Sequence, residues 1–254
     1  MATKKERREE ARQERLRQEA EQAAQERRRR MMQLGALAVF GALVVVGVLI
    51  AVSQSGSDSG GDGGSVEAAD VVNEQLSGIP QSGIALGDPS AKAKIVEFGD
   101  LQCPVCRDYS EQVIPGVIDQ EVRSGNAQLE FKNFTIIGPQ STDAALAALA
   151  AAEQGRYWNF VELFYRNQGT ENSGYVTDSF LRSIAEGAGV EDLAKWESDR
   201  QSPDLEKELA GVQAEAKQLG FDSTPSFLVE GPNGRKTLVA PSPEQLRAAL
   251  SQVS

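Results

Sequence analysis

The chain has 254 residues, with 26 Lys and Arg against 37 Asp and Glu, two cysteines and no histidine. The missing histidine excludes Ser-His-Asp and Cys-His hydrolases and His-ligated zinc, and two cysteines cannot build a Cys₄ zinc site, an Fe–S cluster or a multi-bridge scaffold. A net charge of -11 argues against a nucleic-acid partner, because phosphate needs a basic face, and leaves the chemistry to carboxylates, hydroxyls, lysines or one thiol pair.

The charge is unevenly spread. Residues 1–30 hold eleven Lys and Arg and seven Asp and Glu, with Leu16 as the only large aliphatic. No apolar stripe exists to pack this stretch, so it reads as a charged cytoplasmic tail. Leu34–Val52 follows, nineteen residues without a charge. At 1.5 Å per residue it covers about 28 Å, the hydrocarbon thickness of a bilayer. Residues 31–53 are therefore predicted to be a single transmembrane helix, with lipid as partner for 34–52. Arg27 to Arg30 precede it and no Lys or Arg lies within Ser53–Gly64. By the positive-inside rule the N-terminus is cytoplasmic and the rest extracytoplasmic. Ala51-Val52-Ser53 has the look of a signal-peptide cleavage site, but the apolar run is long for an h-region and thirty residues lead into it; an uncleaved anchor in the cell membrane is the preferred reading. Residues 54–66, rich in Gly, Ser and Asp, form a tether with an r.m.s. reach of roughly 20 Å.

The globular part, 67–254, is long enough for one buried core. Lys92–Phe98 reads as a strand, loosened by Gly99 and Asp100. Arg107–Ile118 reads as a helix that Pro115 should kink. Gln128–Phe134 alternates Leu129, Phe131 and Asn133 against Glu130, Lys132 and Phe134, as a strand does. Helices are predicted next: an Ala-rich one capped by Ser141 or Thr142 and stopped by Gly155, then Tyr157–Asn167, Thr177–Glu186, Glu191–Arg200 and Asp204–Leu219, the last closed by Gly220. Ser226–Glu230 and Arg235–Ala240 flank a Gly-Pro-Asn-Gly turn and read as a hairpin. Ser242-Pro243-Glu244-Gln245 opens a terminal helix as a capping box with Pro at N1.

Both cysteines fall in Cys103-Pro104-Val105-Cys106, at the strand-to-helix junction. With Cys103 at the helix start and Pro104 at N1, unpaired N–H groups and the positive end of the helix dipole favour a thiolate at Cys103. Cys106, one turn deeper, becomes the shielded resolving thiol. The spacing is compatible with a Cys103–Cys106 disulfide that opens and closes with small movements. An inert disulfide closing this short loop, or half of a metal site, are the alternatives; a loop so short adds little constraint to the unfolded chain. A second signal is Thr224-Pro225-Ser226-Phe227. A cis bond before Pro225 would expose the Thr224 backbone to an extended substrate segment; an ordinary trans loop proline is the plainer alternative.

Together Ile95–Cys106, Trp158-Asn159-Phe160, Asn167-Gln168 and Phe221–Phe227 resemble the thioredoxin-like superfamily, and more closely the bacterial DsbA-like disulfide oxidoreductases. The resemblance spans about Ile79 to Val253. It implies an α/β thioredoxin fold with a helical domain inserted at about 141–220, and a protein thiol-disulfide oxidoreductase needing no cofactor and no metal. It makes Cys103 the attacking thiol, Cys106 the resolving one and Pro225 the cis-proline facing them. Thr224 contacts substrate, helped by Pro104 and Val105. Glu97 matches the family's buried acid that moves protons at the deeper thiol; a solvated strand acid is the plain alternative, and Asp100 is a weaker rival. Implied partners are thiols of secreted or envelope proteins, and a membrane quinone reductase of the DsbB or vitamin-K-epoxide-reductase type. Strongly oxidising members carry histidine between the cysteines. Val105 here can give the thiolate neither a hydrogen bond nor a charge, which predicts a less acidic Cys103 and a milder oxidant. The rival to an enzyme is a tethered, non-catalytic thioredoxin-like binding module with a structural disulfide.

Overall fold

A computed structural model describes residues 66–254. The tail 1–30, the span Leu34–Val52 and the tether up to residue 65 lie outside the described residues. Among the described residues no helix is long and apolar enough to cross a membrane.

The element order is α1 (Ala69–Leu76), β1 (Gln81–Ser82), β2 (Ala85–Leu86), β3 (Ala93–Gly99), α2 (Pro104–Gln112), α3 (Ile114–Val117), a π-helical turn (Ile118–Val122) and β4 (Ala127–Asn133). There follow α4 (Pro139–Ala152), α5 (Tyr157–Arg166), α6 (Asp178–Gly187), α7 (Leu193–Asp199), α8 (Pro203–Leu219), β5 (Ser226–Gly231), β6 (Gly234–Val239) and α9 (Pro243–Val253). The strands form one sheet in the order β1-β2-β4-β3-β5-β6. Only β3 and β4 pair in parallel, with Glu97 opposite Phe131; β5 lies antiparallel on the other side of β3, with Phe227 opposite Glu97.

Strand alternation divides the core. Ile95, Leu129, Phe131, Phe227 and Val229 join the larger apolar cluster, together with α5 and α9. Val96, Phe98 and Leu228 point the other way, where they meet Phe134, Ala216 and Phe221 under α8. The chain leaves the sheet after Asn133 and returns at Ser226, and α4 to α8 fill the interval. Within that insert α5 is the hub. Tyr157 to Tyr165 are all buried, and the helix is anchored at both polar rings: the Trp158 indole donates to the Ile84 carbonyl (2.9 Å) and the Tyr157 hydroxyl to the Phe131 carbonyl (2.7 Å). Truncating one such aromatic to alanine typically costs about 3–5 kcal/mol.

Several boundaries differ from the sequence reading, each for a local reason. The first long helix starts at Pro104 rather than Arg107, and the break expected at Pro115 is present. It ends at Gln112, and Pro115, which lacks an N–H, forces a restart as α3 and then a π-helical turn. The Ala-rich helix begins earlier than a Ser141 or Thr142 cap would place it, because Pro139 occupies N1 behind Gly138. Ser141 instead is buried and accepts a hydrogen bond from the Gln102 side chain (3.0 Å). Elements α1, β1 and β2 were not apparent in the sequence; two-residue strands carry no periodicity to read. The capping box at Ser242 and Gln245 and the left-handed Gly220 closing α8 are present.

Candidate active site

The site is assembled where β3 runs into α2. Gly99, at the strand exit, is set by crowding: a Cβ there would lie 2.4 Å from Cε2 of Phe131 and 3.3 Å from a carboxylate oxygen of Glu97. Asp100 then turns the chain. One of its carboxylate oxygens accepts from the Gln102 N–H (2.8 Å), and the other from the N–H groups of Ile136 and Ile137 (2.9 and 3.0 Å). This buried side chain thus pins the loop before the cysteines to the loop that opens the insert. Its oxygens are occupied in structure, unlike those expected of a proton carrier.

The insert holds the same loop from above. The Tyr165 hydroxyl donates to the Asp100 carbonyl (3.1 Å), and the Gln168 amide to the carbonyls of Leu101 (2.7 Å) and Cys103 (3.1 Å). The Gln102 side-chain oxygen Oε1 accepts from the Asn172 N–H (3.0 Å). The Tyr165 and Gln168 contacts satisfy backbone acceptors at a turn that regular structure would leave unpaired.

Cys103 is the N-cap of α2, in extended backbone geometry, with Pro104 at N1. Its Sγ accepts from the Cys106 N–H at 3.4 Å, the role a serine oxygen plays at other helix starts. The Cys103 thiol also reaches the Thr224 carbonyl oxygen at 3.6 Å. The Thr224–Pro225 peptide is cis. The C-x-x-C and the Thr-Pro loop, 121 positions apart at this contact, therefore meet. Ala240 donates to the Pro225 carbonyl (3.0 Å), tying the end of β6 to the same loop. Cys103 keeps 6% of its surface exposed and Cys106 none; both are free thiols. Val105, between them, is 46% exposed.

The two thiols are driven apart electrostatically. A hydrogen bond from the Cys106 side chain is the largest influence on Cys103. Assisted by the Thr224 side chain and the N–H groups of Cys106 and Val105, it outweighs partial burial and lowers the Cys103 pKa to about 6. That lies nearer thioredoxin than the most acidic thiols of disulfide oxidants. Burial pushes the Cys106 thiol up, as do its bond to Cys103 and the nearby Glu97.

Glu97 is 2% exposed, because strand alternation turns it to the face where Phe131 and Phe227 flank it. It is not a solvated strand acid. Burial, then the charges of Glu162 and Cys103, raise its carboxyl well above the usual carboxylate range. The sequence reading missed Glu162, on α5, and its neighbour Ser110, on α2. Glu162 is buried, and its Oε2 accepts from the Ser110 hydroxyl at 3.0 Å. The signal was there: Trp158, Val161, Glu162 and Tyr165 share one helical face, so the acid sits in an apolar stripe.

A family model described as thioredoxin matches residues 80–252. The chain belongs to the thioredoxin family. It is similar to the "Probable disulfide bond formation protein D" of Bacillus cereus, at 29% identity over 206 residues that cover 80% of this chain and 89% of the relative. Among solved structures, a thioredoxin-like oxidoreductase from Silicibacter pomeroyi aligns with a TM-score of 0.56 at 28% identity, covering 71% of this chain and 95% of that one. Oxidised BdbD from Bacillus subtilis shares the fold, with a TM-score of 0.61 at 19% identity over 68% of this chain and 95% of its own.

Proposed function

We propose that the chain is a protein thiol-disulfide oxidoreductase that is tethered outside the cell membrane and oxidises the cysteines of secreted or envelope proteins. One observation carries the reading: the Cys103 sulfur sits at a helix N-terminus, accepts the Cys106 N–H and touches the loop of a cis-proline, while its partner thiol is sealed below. Only one of the two sulfurs can then meet a substrate. The relative named for disulfide bond formation supports the same activity.

In the oxidising direction a substrate thiolate attacks Cys103 of the Cys103–Cys106 disulfide. The S–S bond breaks, a mixed disulfide forms at Cys103 and Cys106 leaves as a thiolate. Glu97, whose carboxyl holds its proton beyond the usual range, donates it to Cys106. A second substrate thiolate attacks the substrate sulfur of the mixed disulfide, and Cys103 departs as a thiolate stabilised by its hydrogen-bond donors. The substrate gains a disulfide and the two electrons rest on Cys103 and Cys106. A membrane quinone reductase of the DsbB or vitamin-K-epoxide-reductase type removes them. Thr224, Pro225, Pro104 and Val105 line the approach and receive the substrate backbone. The span Leu34–Val52 holds the domain at the bilayer with residues 1–30 in the cytoplasm.

The test is the equilibrium of the Cys103–Cys106 pair against glutathione. An oxidase requires a potential at or above about -200 mV, whereas a static structural bridge lies below about -300 mV. The second outcome overturns the assignment. Protease added to intact cells should remove the globular part and spare the tail; protection of the globular part overturns the topology.

A further inference from the structure

Glu162 is a buried acid that the exchange steps above do not use. Its position is built with some care. Cys106 and Ser110 are four residues apart on α2 and both buried, so they share one face of that helix. Helix α5 packs on this face and presents Glu162 to the Ser110 hydroxyl at 3.0 Å. The surrounding α5 side chains are Trp158, Val161 and Tyr165, which offer a carboxylate little solvation, and a charge in such a place is costly unless compensated. Compensation is partial. Arg166, one turn further along α5, directs an amino group to the Gln75 side chain on α1 (3.2 Å). The charged groups acting on Glu162 are Arg166 on its own helix and Glu111 on α2, while on the sheet it acts on Glu97.

The consequence is a carboxyl that titrates within the working range: burial lifts it to about 7, against the Ser110 hydrogen bond and Arg166. Glu97 feels that charge directly, and Cys106 in turn feels Glu97.

We propose that Glu162 is a positioning residue for the thiol chemistry, governing through its charge the proton held by Glu97 and hence the ease with which Cys106 gains or loses its own. Below neutrality Glu162 is protonated, and Glu97, released from a like-charged neighbour, gives up its proton to Cys106 more readily. Above neutrality Glu162 is ionised, and Glu97 holds its proton more tightly and takes one from Cys106 more readily. One proton is exchanged between Glu97 and Cys106 per thiol event, and Glu162 itself transfers none. Its effect has one sign: an ionised Glu162 tightens the hold of Glu97 on its proton.

This inference rests on the role given to Glu97, and its test is read without substrate, so that its failure and a failure of turnover are distinguishable. The reduced full-length protein is labelled with ¹³C at glutamate side-chain carboxyls and titrated by NMR, beside Glu162→Gln and Ser110→Ala. In the wild type two buried carboxyls titrate far from the surface population. Glu162→Gln should delete the one near 7 and move the Glu97 titration to lower pH. Ser110→Ala, which keeps the acid and removes its donor, should move the Glu162 titration upward. A Glu97 titration that stays in place in Glu162→Gln, or a Glu162 titration indifferent to Ser110, overturns the proposal. A merely structural Glu162 would change thermal stability in both variants without moving Glu97.

Discussion

The rim and the floor of helix α2 carry the same residue type three positions apart, and the surroundings give them opposite characters. At the rim, Cys103 receives donors from Cys106, Val105 and Thr224 and becomes acidic. At the floor, Cys106 is sealed off above Glu97 and holds its proton more tightly than a free thiol. Sequence spacing alone yields two cysteines on one helical face. It is the end of the helix on one side, and an inward-turned acid on β3 on the other, that give the two thiols opposite acidities. The sharpest way to break this comparison is Cys103→Ser. Turnover in reduced-protein oxidation should vanish, since Cys106 is 0% exposed and cannot substitute; retained exchange would mean that the floor thiol is reachable.

Cys106→Ser probes the same division from below. Offered a substrate disulfide, its Cys103 thiolate should attack, release one substrate sulfur as a thiolate and remain as a stable mixed disulfide, seen as a mass increment equal to the substrate. The hydroxyl in place of the thiol is a shorter reach to Cys103. Because the Cys106 side chain is the largest influence lowering the Cys103 pKa, the inflection of iodoacetamide alkylation should rise from about 6. An unmoved inflection would transfer the credit to the backbone donors and the helix dipole.

Much of this site was legible in the sequence because its parts are local. A C-x-x-C with proline at N1 fixes its own place at a helix start, and the hairpin after Thr224-Pro225 reads from turn residues alone. From β3 onward the order of strands and helices followed from periodicity. Glu97 could be placed by alternation from Ile95, since odd positions of β3 face the larger core. The unreadable parts are those that depend on distant chain meeting there. The three amides that hold Asp100 come from Gln102, Ile136 and Ile137, and nothing in a local window around Asp100 foretells the last two. Gln168 belongs to a stretch that carried the family resemblance, yet its clamp on the Leu101 and Cys103 carbonyls appears only in three dimensions. Cys103 is also more covered than a freely exposed nucleophile, because the cis-proline loop lies against it.

A smaller effect should follow from adding to the rim what it lacks. Val105 is 46% exposed, so Val105→His removes no core packing. A histidine there can donate to the Cys103 thiolate and, when protonated, add a positive charge beside it. The Cys103 inflection should fall below 6, and the disulfide should become more oxidising by up to about tenfold in its equilibrium with glutathione, the equivalent of one pKa unit. A more acidic thiol with an unchanged equilibrium would show that the floor, rather than the rim, sets the redox poise.

The finest discrimination is thermodynamic. Cys103 has an ordinary value of 9.0 lowered to about 6 in the folded reduced protein. A group depressed on folding contributes stability that is complete above its unfolded pKa and is lost as pH falls through the folded one. The window therefore runs from about pH 9 down to about pH 6. At pH 7 an unscreened group would contribute about 1.4 kcal/mol, and solvent at the rim reduces this to roughly 1 kcal/mol. Glu162 and Glu97 have raised values and act in the opposite sense over part of the same range. The measurement must thus be a difference: reduced wild type minus Cys103→Ala, by urea unfolding at pH 8, 7 and 5.5. The glutamates titrate in both proteins and largely cancel. The wild-type advantage should shrink steadily toward pH 5.5. If the difference is flat with pH, the donors at the helix start do not hold a thiolate, and rim and floor are not electrostatically distinct after all.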